Sequence, residues 1–510
     1  MSPAPIGGEF TSVRAVGGRP RFDAGARAAG TTGPQAVLGA VRPAAGRRRG
    51  RGGAEDPVLV VGAGPVGMTA ALLLARAGVP CVLLEAARRR TEVGSRAICV
   101  QRDVLNILER VGAGRAVVDA GVTWYRGRTF HRGREVATLE LPRRPGFPPF
   151  VNTPQTDVER VLEARVRQEP LIDLRRGQRV VAVSQGDHVE LTTDTDVFRG
   201  THCLAADGAR STVRDLLGIG FPGHSFDDLF VIADIAVDLG HPEPERLFHF
   251  DPDWNPGRQV LLHPQPGGVH RVDWQVPEGF RLTDEHIREI TGDRPYEVRW
   301  QSTYRFHQRR ATALRDGRVL LVGDAAHVMS PFGARGLNSG ICDADNAVWK
   351  VALDRRGEAG PDLLPSYERE RAAAADENLR VTGATMRFLV PRTDQERAHR
   401  QAVLEQGRVD EIDSGRLFEP FAYRDSPLTS PGCDGELLPD STHCGPGFTE
   451  VNGTLIRPDG HLAAVAPTDP QAALRQATGF AVLDCLDSVE AGEAARKSVH
   501  RAVFHSDRKA

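Results

Sequence analysis

Four apolar residues, Val58-Leu59-Val60-Val61, run straight into Gly62-Ala63-Gly64-Pro65-Val66-Gly67. A short β-branched run of this kind is the pattern of a buried parallel strand. Met68 to Ala77 then reads as an apolar helix stopped by Gly78, and Val79 to Leu84 as a second strand ending at Glu85. Strand, Gly-x-Gly-x-x-Gly turn, helix and strand make one βαβ unit, which commits this part of the chain to a parallel sheet. Gly62 permits the tight turn, Gly64 lets the backbone approach a pyrophosphate, and Gly67 lets the helix pack close to the strand. The helix N-terminus offers N–H groups and a partial positive charge to the phosphates. Glu85 stands where an acid accepts hydrogen bonds from a ribose 2′-hydroxyl and disfavours a 2′-phosphate. The unit predicts dinucleotide binding without separating FAD from NAD.

Two later stretches repeat the theme of strand, acid and helix. Arg318 to Val322 is an apolar strand, followed by Gly323-Asp324-Ala325-Ala326-His327 and then Met329-Ser330-Pro331-Phe332-Gly333-Ala334-Arg335-Gly336-Leu337-Asn338-Ser339-Gly340. From Ile341 to Leu353 the pattern is helical, with Ile341, Ala344, Ala347, Val348 and Val351 on one side. An acid at such a strand end suits a polyol hydroxyl, and the helix start suits a ring carrying negative charge. The middle stretch, Cys203-Leu204-Ala205-Ala206-Asp207-Gly208-Ala209-Arg210-Ser211-Thr212-Val213-Arg214, is again a strand, an Asp-Gly turn and a helix.

Composition removes several classes. Across 510 residues, 65 basic and 67 acidic side chains leave a formal charge of −2, which argues against nucleic acid or an anionic membrane as a partner. Lys occurs only at Lys350, Lys497 and Lys509, a skew to Arg that fits a GC-rich coding bias. The seven cysteines are scattered and form no C-x-x-C pair, so neither a disulfide framework nor a structural zinc site is expected, and a reducing cytoplasm fits. The most apolar stretch, Val58 to Leu84, is interrupted by Gly, Pro and Arg76, so no transmembrane helix is expected. Residues 1–56, rich in Gly, Ala, Pro and Arg, read as a disordered tail without a secretory h-region.

The three motifs in this order resemble the single-component, class A FAD-dependent aromatic hydroxylases, most of all the 3-(3-hydroxyphenyl)propionate hydroxylase-like branch. Gly94-Ser95-Arg96-Ala97 with Gln101, Asn152-Thr153-Pro154-Gln155, and Asp343-Ala344-Asp345-Asn346-Ala347-Val348-Trp349-Lys350 support it, over about residues 57–390. The resemblance implies an α/β protein. Its FAD-binding Rossmann-type (p-hydroxybenzoate hydroxylase-like) domain carries an inserted antiparallel-sheet substrate domain, and the chain closes in a short thioredoxin-like C-terminal remnant. Expected boundaries are 57–220 for the first part of the FAD domain, 221–314 for the substrate sheet, 315–400 for the second part with its helices, and 401–510 for the truncated tail. The resemblance also implies that Gly62, Gly64 and Gly67 hold the FAD pyrophosphate, Glu85 the adenosine ribose, and Asp324 a ribityl hydroxyl. Arg96 lies along the cofactor or else is a surface ion-pair partner. Gln155 lies near the ribityl chain. Asp207, with Ser211 and Arg214, serves FAD and the nicotinamide coenzyme or else caps its own helix. Pro331, Gly336, Leu337 and Asn338 surround the isoalloxazine edge.

The implied reaction uses NAD(P)H as co-substrate and O₂. Reduced FAD adds O₂ to give a C4a-hydroperoxide, whose distal oxygen passes to an electron-rich aromatic ring. Arg335 stands where the family often has Gln, so its guanidinium either meets the flavin or an acidic substrate, or turns to solvent. Five runs read as strands of the substrate sheet: Phe230 to Val237, Glu245 to Phe250, Gln259 to His263, His270 to Val276 and Tyr296 to Tyr304. Candidate lining residues are His249, His263, Gln265, Trp274 and Gln275. His263 is either a base for a phenol or a packing residue. Leu363 to Leu389 reads as a helix, and Leu455 to Ala464 as the closing strand-turn-strand of a curtailed, partly disordered tail. Other outcomes of the same chemistry, epoxidation or Baeyer–Villiger oxidation, stay open, as do a homodimer and a flavin-binding protein that has lost turnover. No W-x-W-x-I-P segment supports a halogenase.

Overall fold

The structure is a computed structural model that describes residues 56–90, 97–408, 411, 420–468 and 470–478. The expected disordered tail, Arg96 and the last 32 residues lie outside the described residues.

Val58–Val61 is the centre of a six-stranded sheet. Cys203–Ala205 flanks it on one side and Cys81–Glu85 on the other, all parallel, with Val319–Leu321 and Ile172–Arg176 beyond them. Both faces are covered, and Val58, Leu59 and Val60 are fully buried, as the unbroken apolar run requires. The helix after the glycine turn spans Pro65–Arg76 and so starts earlier than the expected Met68. Pro65 occupies the first helical position, where its missing N–H costs nothing.

The second glycine-rich stretch departs further from expectation. The helix expected from Ile341 begins at Arg335 and runs to Arg356, so Gly336 to Gly340 form its first turns and not a loop. Gly340 is there for close approach: a Cβ would lie 2.8 Å from Val66 and 3.0 Å from the Cα of Gly323. The long helix Leu363–Leu389 has the bounds read from the sequence.

The substrate sheet is larger than the five expected strands. Its eight strands run in the order His327–Val328, Glu297–Arg310, Gly223–Ala236, Val269–Val276, Gln259–Gln265, Glu245–Phe250, Arg126–His131 and Arg134–Glu140. Every adjacent pair is antiparallel except Glu245–Phe250 with Arg126–His131. The last two strands form a hairpin from far upstream, turned at Arg132 and Gly133, both with positive φ. His327–Val328 at the opposite edge follows directly on the Gly323-Asp324 turn, so the sheet is joined to the nucleotide-binding half through that turn.

Beyond residue 420 the described residues form three short strands, Thr449–Val451, Thr454–Ile456 and Leu462–Val465, and the helix Pro470–Thr478. The described part of this tail is firmly packed. Phe448, Leu455, Ala463 and Leu474 share a core with Trp349 and Leu353 of the Arg335–Arg356 helix. Arg457 is fully buried and pairs with Glu370 through both terminal nitrogens (2.7 and 2.8 Å) and with Asp459 at 2.7 Å. Lys350 Nζ donates to Glu370 at 2.7 Å, and Asn346 and Trp349 add donors to Glu370 and Asp459. Burial alone pushes the Glu370 carboxyl up, but Arg457 and Lys350 hold it well below the ordinary carboxylate range. No helix among the described residues is long and apolar enough to cross a membrane.

Removing one partner of a buried ion network leaves the others uncompensated. Arg457→Met is expected to lower unfolding stability by about 3–5 kcal/mol, read as a lower urea midpoint at constant m. An unchanged midpoint would show that the tail adds nothing to the fold.

Candidate active site

Val61, Ala205, Leu321 and Leu84 lie side by side at the carboxyl ends of four parallel strands. The residues that follow are Gly62, Ala206-Asp207, Val322-Gly323-Asp324 and Glu85. The fold therefore gathers three sequence fingerprints at one sheet edge, where open α/β sheets bind ligands. Gly62 has φ +100°, and a Cβ on it would stand 2.4 Å from the Ala206 carbonyl oxygen. A Cβ on Gly67 would stand 1.9 Å from the Gly62 oxygen. At Gly64 a Cβ would meet nothing within 4 Å, so the turn is open there. Gly64 caps the helix without a side-chain bond, and no acid lies in the first turn. An uncapped helix start beside an open glycine fits a pyrophosphate.

The acids differ in exposure and in what they hold. Glu85 accepts from the Ala63 N–H through Oε2 and from the Ala87 N–H through Oε1, both at 2.8 Å, and so braces the turn as well as facing it. Asp207 caps its own helix, accepting from the Ser211 hydroxyl at 2.5 Å and the Val213 N–H at 3.0 Å, which is the capping alternative. Asp324 is exposed between buried Gly323 and Ala325, as an acid offered to a polyol would be. Arg214 links the last two fingerprints: it donates to the Ala325 oxygen at 3.2 Å and lies over the Phe221 ring. Gln155 donates to Glu159 at 2.8 Å and accepts from the Ala97 N–H at 3.4 Å.

Positive φ at Gly333 (+96°) and Ala334 (+53°) turns the chain sharply into the Arg335–Arg356 helix, which also starts without a side-chain cap. Pro331 is exposed, and Gly336 has open space where a Cβ would be. Asn338 is a brace: its Oδ1 accepts from the Gln101 N–H, and its Nδ2 donates to the Cys99 and Ala334 oxygens. Arg335 is not turned to solvent. It is buried, donates to Asn378 of the long helix at 3.0 Å, and lines a polar cavity of about 90 Å³ with Asp103, Ser339 and Arg371. Arg335 and Ser339 meet the long helix through Asn378 and Arg371, while Asn338 and Cys342 turn to Cys99–Gln101 and Asp103.

The substrate sheet presents one face to this edge. Phe332, from the turn before the Arg335 helix, packs on Phe230 and Phe306 at one end of that face. At the other end Asn152 donates to the Pro264 oxygen at 3.0 Å. Between them the register sets out three rows: Phe230, Gln275, Gln259 and Phe250; Ile232, Asp273, Leu261 and Phe248; Asp234, Arg271, His263 and Arg246. Residue alternation sends Trp274 to the opposite face, where it packs with Val231, Val260 and Val272. His249 lies there too, stacked on Phe130, so these two expected lining residues belong to a core. Gln265 and Gln275 are on the inner face as expected.

His263 is also on that face, but burial, with Arg246 and Arg271 near, pushes its imidazole down to about 3, which makes it a weak proton acceptor. Asp273, which no motif marks, is pushed up to about 7 by burial; Arg271 opposes the rise and Asp234 adds to it. Buried polar atoms without a hydrogen-bond partner cluster here: His263 Nδ1, Asp273 Oδ1, and the Oε1 atoms of Gln259, Gln265 and Gln275. Ser330 Oγ, Asn152 Oδ1 and Thr153 Oγ1 add to them nearer the glycine turns. Orphaned groups in such number call for polar partners, from water or from a ligand.

A family model described as "FAD binding domain" matches residues 55–382. The chain belongs to that family. The cradle fits FAD, with its open Gly64, two uncapped helix starts and exposed Asp324. Pentachlorophenol 4-monooxygenase of Sphingobium chlorophenolicum is 31% identical over 65% of this chain and 64% of its own, so the chain spans under two thirds of that relative. Dialkyldecalin synthase of Streptomyces rugosporus is 33% identical over 63% of this chain and 70% of its own. The solved p-nitrophenol 4-monooxygenase PnpA from Pseudomonas putida DLL-E4 superposes with a TM-score of 0.61 at 26% identity, covering 71% of this chain and 98% of that one.

Gly67→Ala forces a methyl group into the Gly62 backbone at a cost of about 1–3 kcal/mol. FAD affinity is expected to fall about tenfold or more, measured as flavin absorbance kept by the protein after dialysis. Full retention would mean that the turn does not shape the cofactor site.

Proposed function

We propose that this chain is an FAD-dependent monooxygenase that hydroxylates a phenolic or polycyclic aromatic compound, with NAD(P)H and O₂ as co-substrates. The observation that carries the reading is the polar inner face of the substrate sheet. It lies between the Phe332 turn and Asn152, over the edge where the fingerprints of the FAD family converge. The names of the pentachlorophenol and p-nitrophenol monooxygenase relatives support a phenol as the substrate class.

Bound FAD supplies the redox chemistry and the activated oxygen. The chain's own residues bind and orient. In this reading Gly62, Gly64 and Gly67 take the pyrophosphate, Glu85 the adenosine ribose, and Asp324 with Gln155 the ribityl chain. Asp207 shapes the turn beside the cofactor. The first-turn N–H groups at Gly336 and Leu337 would stabilise negative charge on the ring system, with Pro331 beside it. Asn338 sets that helix start against the Cys99–Gln101 strand. Phe230, Phe306 and Phe332 keep water from one end of the substrate space. NAD(P)H and six free cysteines among the described residues fit a cytoplasmic enzyme.

The relative named as a synthase favours a second reading, a family member whose product is not a hydroxylated ring. One experiment separates the two. The purified protein is expected to carry FAD, and 3-(3-hydroxyphenyl)propionate or 4-nitrophenol is expected to raise NADH or NADPH oxidation several-fold with matching O₂ uptake. Bound FAD with no response to any phenol would favour the second reading. A protein that takes up no FAD would sink both.

A further inference from the structure

On the inner face of the substrate sheet Asp273 has apolar neighbours in its own row. Ile232, Leu261 and Phe248 flank Asp273, which stands opposite Leu261 on one neighbouring strand and Ile232 on the other. Leu261 and Phe248 share a core with Phe230, Phe250 and Phe332, so the carboxylate stands beside aliphatic and aromatic surface. The carboxylate is not consumed by the protein. Arg271, two residues along the same strand, makes a paired contact with Asp234 (Nε to Oδ1 and Nη2 to Oδ2, each 2.7 Å). Gln275, two residues the other way, donates to Asp228 at 2.9 Å. Asp273 Oδ1 is buried without a partner, and so are the nearby His263 Nδ1 and Gln275 Oε1. An acceptor buried without a donor costs about 1–3 kcal/mol, a cost that a ligand's O–H removes.

We propose that Asp273 is the residue that accepts the ring hydroxyl of the substrate, first as a hydrogen-bond acceptor and then as the base that takes its proton. The inference rests on the hydroxylase reading and names within it the group that selects a phenol. The step is a proton transfer: the phenol O–H bond breaks, its electron pair stays on the ring oxygen, and the proton forms the O–H of the Asp273 carboxylic acid. The electron-rich ring that results is the form most easily attacked by an electrophilic oxygen. His263 has the position of a helper and not of the base. Held neutral beside Arg246 and Arg271, it is suited to fix the hydroxyl's orientation through a hydrogen bond.

The charged and titratable groups facing Asp273 among the described residues are Arg271 on its own strand, Asp234 on Gly223–Ala236, His263 on Gln259–Gln265 and Arg246 on Glu245–Phe250. Arg271 and Asp234 pair with each other through two 2.7 Å contacts and leave the Asp273 carboxyl to its burial. The carboxyl, poised at about 7, therefore titrates where the enzyme works.

The test uses FAD-loaded enzyme and 3-(3-hydroxyphenyl)propionate, whose phenol ionises only near pH 10 and leaves the neutral range to the protein. In the wild type, kcat/KM for phenol-stimulated NAD(P)H oxidation is expected to rise with pH through an apparent pKa near 7. In Asp273→Asn the bound FAD and its visible spectrum stay as in the wild type. Its kcat/KM falls about 100-fold or more and the rise with pH disappears. Asp273→Glu restores part of the rate and the pH dependence, which a merely structural residue would not do. An infrared carboxylic-acid band that titrates near neutrality in the holoenzyme and is absent from Asp273→Asn supports the assignment whatever the substrate. Wild-type rates and an unchanged acid limb in Asp273→Asn would overturn the proposal and leave the hydroxylase reading standing, and so would the absence of that band. Failure of every phenol to stimulate FAD-loaded wild type would overturn the hydroxylase reading and the proposal with it.

Discussion

Asp343 holds the molecule's working parts in one place. It is fully buried on the Arg335–Arg356 helix, and its Oδ2 accepts from the Gly323 N–H at 3.0 Å and from His327 at 2.8 Å. Its Oδ1 takes Arg371 of the long helix at 2.5 Å. Burial alone would raise this carboxyl, but His327 and Arg371 hold it below the ordinary range, so it stays charged. One side chain thereby ties the turn that offers Asp324, the first residue of the substrate sheet's edge strand, and the long helix. The cofactor edge and the roof above it share an anchor.

The same helix distributes the rest of the buried charge. Asp345 takes Arg110, Asn346 and Lys350 reach Glu370, and Trp349 reaches Asp459. The run from Asp343 to Lys350 thus reads in space as a set of sockets, one for each neighbouring element. Through Arg457, the tail beyond residue 420 completes this network and is part of the platform under the flavin-side helix. Buried ion networks of this kind confer position more than net stability, because desolvation offsets much of their attraction.

Legibility in the sequence follows the range of the interactions. The βαβ unit, the Gly-Asp turn, the long helix and the roof strands were readable because they rest on local periodicity and turn chemistry. The Arg126–Glu140 hairpin alternates correctly, yet nothing local says that its first strand pairs with Glu245–Phe250 far downstream. Arg335 was readable as an unusual residue but not in its direction, which depends on Asn378 of another helix. Gly336 to Gly340 looked like a loop because glycine marks turns, whereas Gly340 is required by the approach of Val66. His263 drew attention by type, and Asp273 drew none. Their order as proton acceptors is decided by burial and by Arg246, Arg271 and Asp234, which reach them from separate strands.

The alternation of the roof strand Val269–Val276 carries a consequence for how such an enzyme diversifies. Arg271, Asp273 and Gln275 look toward the cofactor edge, while Val272 and Trp274 fill the core behind. Neighbouring codons therefore answer to different selection. On the proposed reading, a change at 273 alters which molecules the protein handles, whereas a change at 272 or 274 threatens the core behind the strand. New chemistry can be explored by rewriting every second residue of one strand.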